Sequence, residues 1–115
     1  MNIRYIQNPG ENSGHFTGAV PLNTEIQCFA KNSQNDIFYT VFEKEGDYQV
    51  FVGPKNKMEE AEVKNSQIPE NGSKEVSLEF LIKGRFSTLS FVPESDSVPA
   101  LKYGHGETVN LTRIK

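Results

Sequence analysis

Apolar and polar side chains alternate with a period of two through residues 75–93. Val76, Leu78, Phe80 and Ile82 fall on one side of an extended chain, and Ser77, Glu79 and Lys83 on the other, with Leu81 the exception. Beyond Gly84, Leu89 and Phe91 alternate with Thr88, Ser90 and Val92. Successive strand residues point to opposite faces, so this spacing predicts a β-hairpin with one buried face. Two turns suit it. Lys83-Gly84 at the centre fits a type I′ turn and pairs Leu78 with Leu89 and Val76 with Phe91. Gly84-Arg85 at the centre fits type II′ and pairs Phe80 with Leu89 and Leu78 with Phe91. The buried set is the same in both, because a shift of two in the pairing leaves every side chain on its face. Pro93 has no amide hydrogen to donate and ends the second strand.

A second hairpin is predicted over residues 37–53, with its turn in Lys44-Glu45-Gly46-Asp47. Its pattern differs. Phe38 and Phe42 lie on one face, and Tyr39 and Val41 on the other. A strand apolar on both faces belongs at the centre of a sheet, covered from two sides, or in an interface. Phe38, Tyr39, Phe42, Tyr48, Phe51 and Tyr103 are therefore the candidates for contact with a ligand or protein partner.

The remaining elements are short. Strands are predicted at residues 2–7, 24–31, 98–103 and 107–114, with a further short one running through Val63 and Ile68. Residues 8–18, rich in Gly, Asn and Ser, read as the least regular segment. Residues 55–64 carry the one stretch with helical propensity but no apolar stripe, which predicts a loop with a single helical turn. Turns are expected at 32–36, 69–73 and 95–97. This succession of about eight or nine short strands predicts an all-β domain over residues 1–115 with little or no helix. The expected architecture is an antiparallel β-sandwich, immunoglobulin-like or jelly-roll-like, because strands with one apolar face bury it against one another.

Composition narrows the function classes. A formal charge of −3 with scattered Lys and Arg gives no electrostatic case for nucleic-acid binding. A single cysteine, Cys28, allows no internal disulfide, and its place in the alternation Ile26-Gln27-Cys28-Phe29-Ala30 reads as a small buried hydrophobe. No apolar run is long enough to span a bilayer, and the first residues lack the basic and apolar regions of a signal peptide. The chain is expected in the cytoplasm, or exported without such a signal, and the sequons at Asn71 and Asn110 then carry little weight.

Candidate chemistry is sparse. His15 and His105 are the two histidines, each preceded by glycine, in Gly14-His15-Phe16-Thr17 and Gly104-His105-Gly106-Glu107. Two converging imidazoles suit general acid–base cleavage of a phosphodiester, since their pKa lies near working pH. Thr17 and Glu107 are their nearest polar companions. His15-Phe16-Thr17 resembles the His-x-Thr element of the 2H phosphoesterases, whereas Thr108 follows His105 by three positions instead of two. Asn35-Asp36 resembles the opening of the βγ-crystallin calcium motif, but Tyr39 stands where that motif asks for Ser or Thr. No His or Cys spacing matches a metal site, and no cofactor is expected. The leading expectation is a non-catalytic protein that binds a protein partner or itself. The alternatives are a small two-histidine phosphodiesterase or nuclease, and a lectin-like module using tyrosines in the absence of Trp.

Overall fold

The computed structural model describes residues 1–69, 72, 74–93 and 95–114. Eleven strands account for nearly all of the regular structure, and no helix occurs among the described residues. They are β1 (Asn2–Gln7), β2 (Gly14–Gly18), β3 (Glu25–Asn32), β4 (Ile37–Lys44), β5 (Asp47–Gly53), β6 (Met58–Gln67), β7 (Val76–Ile82), β8 (Arg85–Phe91), β9 (Ala100–Tyr103), β10 (Thr108–Asn110) and β11 (Thr112–Arg113). Every pairing is antiparallel.

The strands form one folded sheet in the order β10-β9-β8-β7-β6-β5-β4-β3-β11. From β3 to β10, neighbours in space are neighbours in the chain. This meander departs from the Greek-key connections of the immunoglobulin-like or jelly-roll-like sandwich that the sequence suggests. Short connections favour it, above all the two-residue turns of β4–β5 and β7–β8, which leave the second strand no partner but the one just laid down. Two strands change partners and bend the sheet round on itself. β6 pairs with β5 through Glu59–Ala61 and with β7 through Glu62–Gln67, across an irregularity between Val63 and Asn65. Bulges of this kind let one strand turn a corner between two sheet directions. At the other side, β10 pairs with β9 and β11 with β3, and Leu111 between them donates its amide to the Pro99 carbonyl. The result is a nearly closed, barrel-like sheet.

The amphipathic hairpin takes the type I′ register. Val76 faces Phe91 and Leu78 faces Leu89, and Lys83 and Gly84 both have positive φ, 49° and 75°. The β4–β5 turn has the same form, with Glu45 at 51° and Gly46 at 86°. Inside the barrel, Cys28, Tyr39, Val41 and Val50 from one half of the sheet meet Leu78, Phe80, Leu89, Phe91 and Leu101 from the other. Each such buried side chain contributes about 1.5–3 kcal/mol.

A second apolar cluster lies on the outside. β1 and β2 form a hairpin that pairs with β6 at Asn2–Ile3 and lies over the outer face of the β3–β4–β5 wall. Ile3, Phe42, Phe51 and Met58 are buried there, with Tyr5, Phe16 and Phe38 packed on them. Tyr5, Phe16, Phe29, Phe38, Phe42 and Phe51 form a chain of six rings at centroid distances of 4.8–5.9 Å. These are tilted and edge-on contacts, the preferred arrangements for aromatic pairs.

Two local expectations change. Residues 55–64 contain no helical turn. Met58 is fully buried and Ala61 nearly so, and residues 58–67 run as the longest strand, because pairing to β5 and β7 outweighs a weak local helical preference. Residues 14–18, expected to be irregular, form β2, held by the pairing of Phe16 with Tyr5. The turn expected at 69–73 and the sequon at Asn71 lie in part or wholly outside the described residues, while Asn110 ends the exposed strand β10.

Candidate functional site

Four turns ring one end of the barrel: β3–β4, β5–β6, β7–β8 and β9–β10. Between them opens a cavity of about 980 Å³. Its wall follows from register. Ile37 and Tyr39 are the first inward residues of β4, Val52 is the last of β5, and Phe80 and Ile82 close β7. Tyr39, Val52 and Phe80 are buried at the floor of the cavity, and Ile37 and Ile82 are half-buried above them.

Charges stand on the same face at the mouth. Arg85 pairs with Ile82 and so shares its inward face, and Glu59 pairs with Val52 in the same way. Lys57 and Lys83 join them from the β5–β6 and β7–β8 turns. Lys83 Nζ lies 3.9 Å from Glu59 Oε2. Lys57 and Arg85 have no carboxylate partner among the described residues. Gly53 fits between these elements because it has no Cβ. Its φ is 148°, and a Cβ there would sit 2.6 Å from the Lys57 carbonyl oxygen.

The polar element of the wall is a pair of tyrosines. The hydroxyls of Tyr39 on β4 and Tyr103 on β9 lie 2.9 Å apart, and Asn32 Nδ2 donates to the Tyr103 hydroxyl at 3.5 Å. Asn32 Oδ1 in turn accepts from the Gln34 amide. Burial, then the hydrogen bond with Tyr103, hold the Tyr39 phenol well above its ordinary pKa, so it stays neutral. The pair bridges the two halves of the folded sheet at the cavity wall.

Of the six residues singled out by the sequence, the structure brings Tyr39 and Tyr103 together here. Phe38, Phe42 and Phe51 point the other way, into the cluster under β1–β2, and Phe42 and Phe51 are buried. Tyr48 opens β5 at the opposite end, beside Glu43, where burial and then that carboxylate raise its pKa. The apolarity of both faces of the β4–β5 hairpin thus has partners within the chain.

The two histidines lie on different elements. His15 pairs with Ile6 on the outer hairpin and is exposed, while Phe16 takes the face that packs on Phe29 and Phe42. Thr17 follows it on β2, with a buried hydroxyl that has no hydrogen-bond partner among the described residues. His105 and Glu107 are exposed in the β9–β10 turn, next to Gly104 at the cavity rim. No hydrogen bond or ion pair joins these residues among those described, and no group of three metal-binding side chains occurs there. Cys28 is 1% exposed, and burial pushes its thiol up to about 11 against a weaker opposing pull from Arg113. It is a packed hydrophobe, as its place in the alternation suggests.

Comparison with family models, with curated proteins and with solved structures finds no match for this chain. The site's description rests on its own geometry. Sequence reasoning missed Ile37, Val52, Ile82, Lys57 and Arg85. Their signal was Arg85, a charge that the type I′ register places opposite Ile82 on an otherwise apolar face. Among the described residues no helix is long and apolar enough to cross a membrane.

Proposed function

We propose that this chain is a non-catalytic binding protein that holds a small, largely apolar ligand in the open end of its barrel. One observation carries the reading. A cavity of about 980 Å³ lies at a barrel mouth, walled by Ile37, Val52, Phe80 and Ile82, with the Tyr39–Tyr103 hydroxyl pair in the wall and Lys57, Glu59, Lys83 and Arg85 at the mouth. Barrel mouths are a preferred place for such sites, which span roughly 300–1,000 Å³ and combine apolar walls with few polar groups. In this reading the two halves of the folded sheet serve as the walls of a sandwich, splayed at one end to leave room for a guest.

The test is a titration of the ¹⁵N-labelled protein with N-phenylnaphthylamine, a neutral apolar fluorophore. Saturable fluorescence enhancement is expected. Amide shifts should concentrate at Ile37, Val52, Ile82, Phe86 and Gly104. Shifts centred on the β1–β2 hairpin, or an unsaturable response, would overturn the assignment.

A further inference from the structure

The geometry points to an anionic amphiphile as the ligand: an apolar body in the cavity and one carboxylate or phosphate headgroup at the rim. This rests on the barrel-mouth reading above and deepens it. The chain as a whole is acidic, with a formal charge of −3, yet the cavity mouth carries Lys57, Lys83 and Arg85 against one carboxylate, Glu59. The sign of the site is thus opposite to that of the molecule. Arg85 shares the face of Ile82 at the exposed end of its strand and has no carboxylate partner among the described residues, so its guanidinium is free to meet a ligand.

The Lys83–Glu59 contact of 3.9 Å is long and joins a largely solvated lysine to a half-buried carboxylate, so it is a weak restraint. A headgroup arriving at the mouth meets Arg85 and Lys57 directly and competes with Glu59 for Lys83. Arg85 offers a planar fork of donors suited to two oxygens of one carboxylate or phosphate. Below it, Phe80, Ile82 and Val52 offer no charge, so an alkyl or aromatic body loses no hydrogen bond by entering. Phe86, 43% exposed, and Tyr103, 38% exposed, stand at the rim where the ligand passes from water to the cavity. The Tyr39 phenol, which burial keeps neutral, repels no anion.

The experiment is displacement of N-phenylnaphthylamine by decanoate, decyl phosphate, decanol, acetate and inorganic phosphate at low ionic strength. The first two are expected to displace the probe at concentrations at least about tenfold below decanol, a margin of about 1.4 kcal/mol. Their advantage should shrink as salt is added, since it arises from charge at an open mouth. Acetate and inorganic phosphate, lacking an apolar body, should not displace the probe. The double variant Lys83→Asn, Arg85→Gln should bring decanoate within about twofold of decanol. Both positions are exposed, and the variant's denaturation midpoint checks that it folds. Decanoate showing no advantage over decanol overturns the inference while leaving the apolar site standing. An advantage that survives the double variant overturns the assignment of the headgroup to this rim. A probe that never binds overturns the underlying reading instead. The decanoate and decyl phosphate arms distinguish a carboxylate headgroup from a phosphate.

Discussion

The two I′ hairpins share a turn and differ in everything their faces meet. β7–β8 buries one face, Val76, Leu78, Phe80, Leu89 and Phe91, and leaves Glu79, Thr88 and Ser90 only partly covered on the other. β4–β5 buries both, Val41 and Val50 inward and Phe42 and Phe51 outward. Apolarity on two faces looks in sequence like a surface awaiting a partner. In this fold it marks a wall with a second layer of its own chain over it. The open surface belongs instead to the plainer hairpin, whose tip presents Ile82, Lys83 and Arg85 at the cavity.

Truncation of a ring is the strongest way to break that contrast. Phe51→Ala, at a fully buried site between the barrel wall and the outer hairpin, should lower unfolding free energy by about 3–5 kcal/mol in urea titrations. Phe86→Ala at the exposed rim should cost about 1 kcal/mol or less. Equal losses would mean that the outer layer does not bury the hairpin in solution.

Much of the contrast was legible in advance. The period of two gave the β7–β8 face and left two turns open, and the structure takes Lys83-Gly84. The outer layer was not legible. β2 reads as Gly-Asn-Ser-rich loop, and it becomes a strand only because Phe16 finds Phe29 and Phe42, distant in the chain. β6 was hidden in the same way, its Glu- and Lys-rich stretch carrying a weak helical preference that cross-strand pairing overrides. The mouth was invisible because curvature, set by a bulge near Val63 and a switch at Leu111, decides which inward residues lack a facing neighbour.

Alkaline pH sharpens the comparison by acting on one side of it. Cys28 and Tyr39, both on the β3–β4 wall, have folded pKa values raised above their unfolded ones, the thiol to about 11. A raised folded value favours the protonated native form. The associated stability is therefore fully present below the ordinary thiol pKa and is lost as pH rises toward 11. For Cys28 the loss is on the order of 2–3 kcal/mol. Urea midpoints at about pH 8 and pH 10.5 should show the decline, and Cys28→Ala should flatten part of it. An unchanged slope in the variant would assign the effect to tyrosines alone.

The smallest expected effect concerns what the hairpins share. Gly46 and Gly84 both have positive φ and open space around them. Gly46→Ala and Gly84→Ala should each cost about 1 kcal/mol, from backbone strain alone. A much larger loss at Gly84 would show that its turn also carries the register of the cavity rim.

Leu111 has a consequence for how the chain is made. The strands on either side of it, β10 and β11, join β9 to β3 and bring the barrel near closure. They are translated after everything they join. While the protein emerges from the ribosome, β3 keeps an unpaired edge until residues 112–113 are released. Such an edge is a template for mispairing between nascent chains. The partner that protects it is a two-residue strand translated after all the strands it helps to close, so crowding on a polysome is a hazard of this topology.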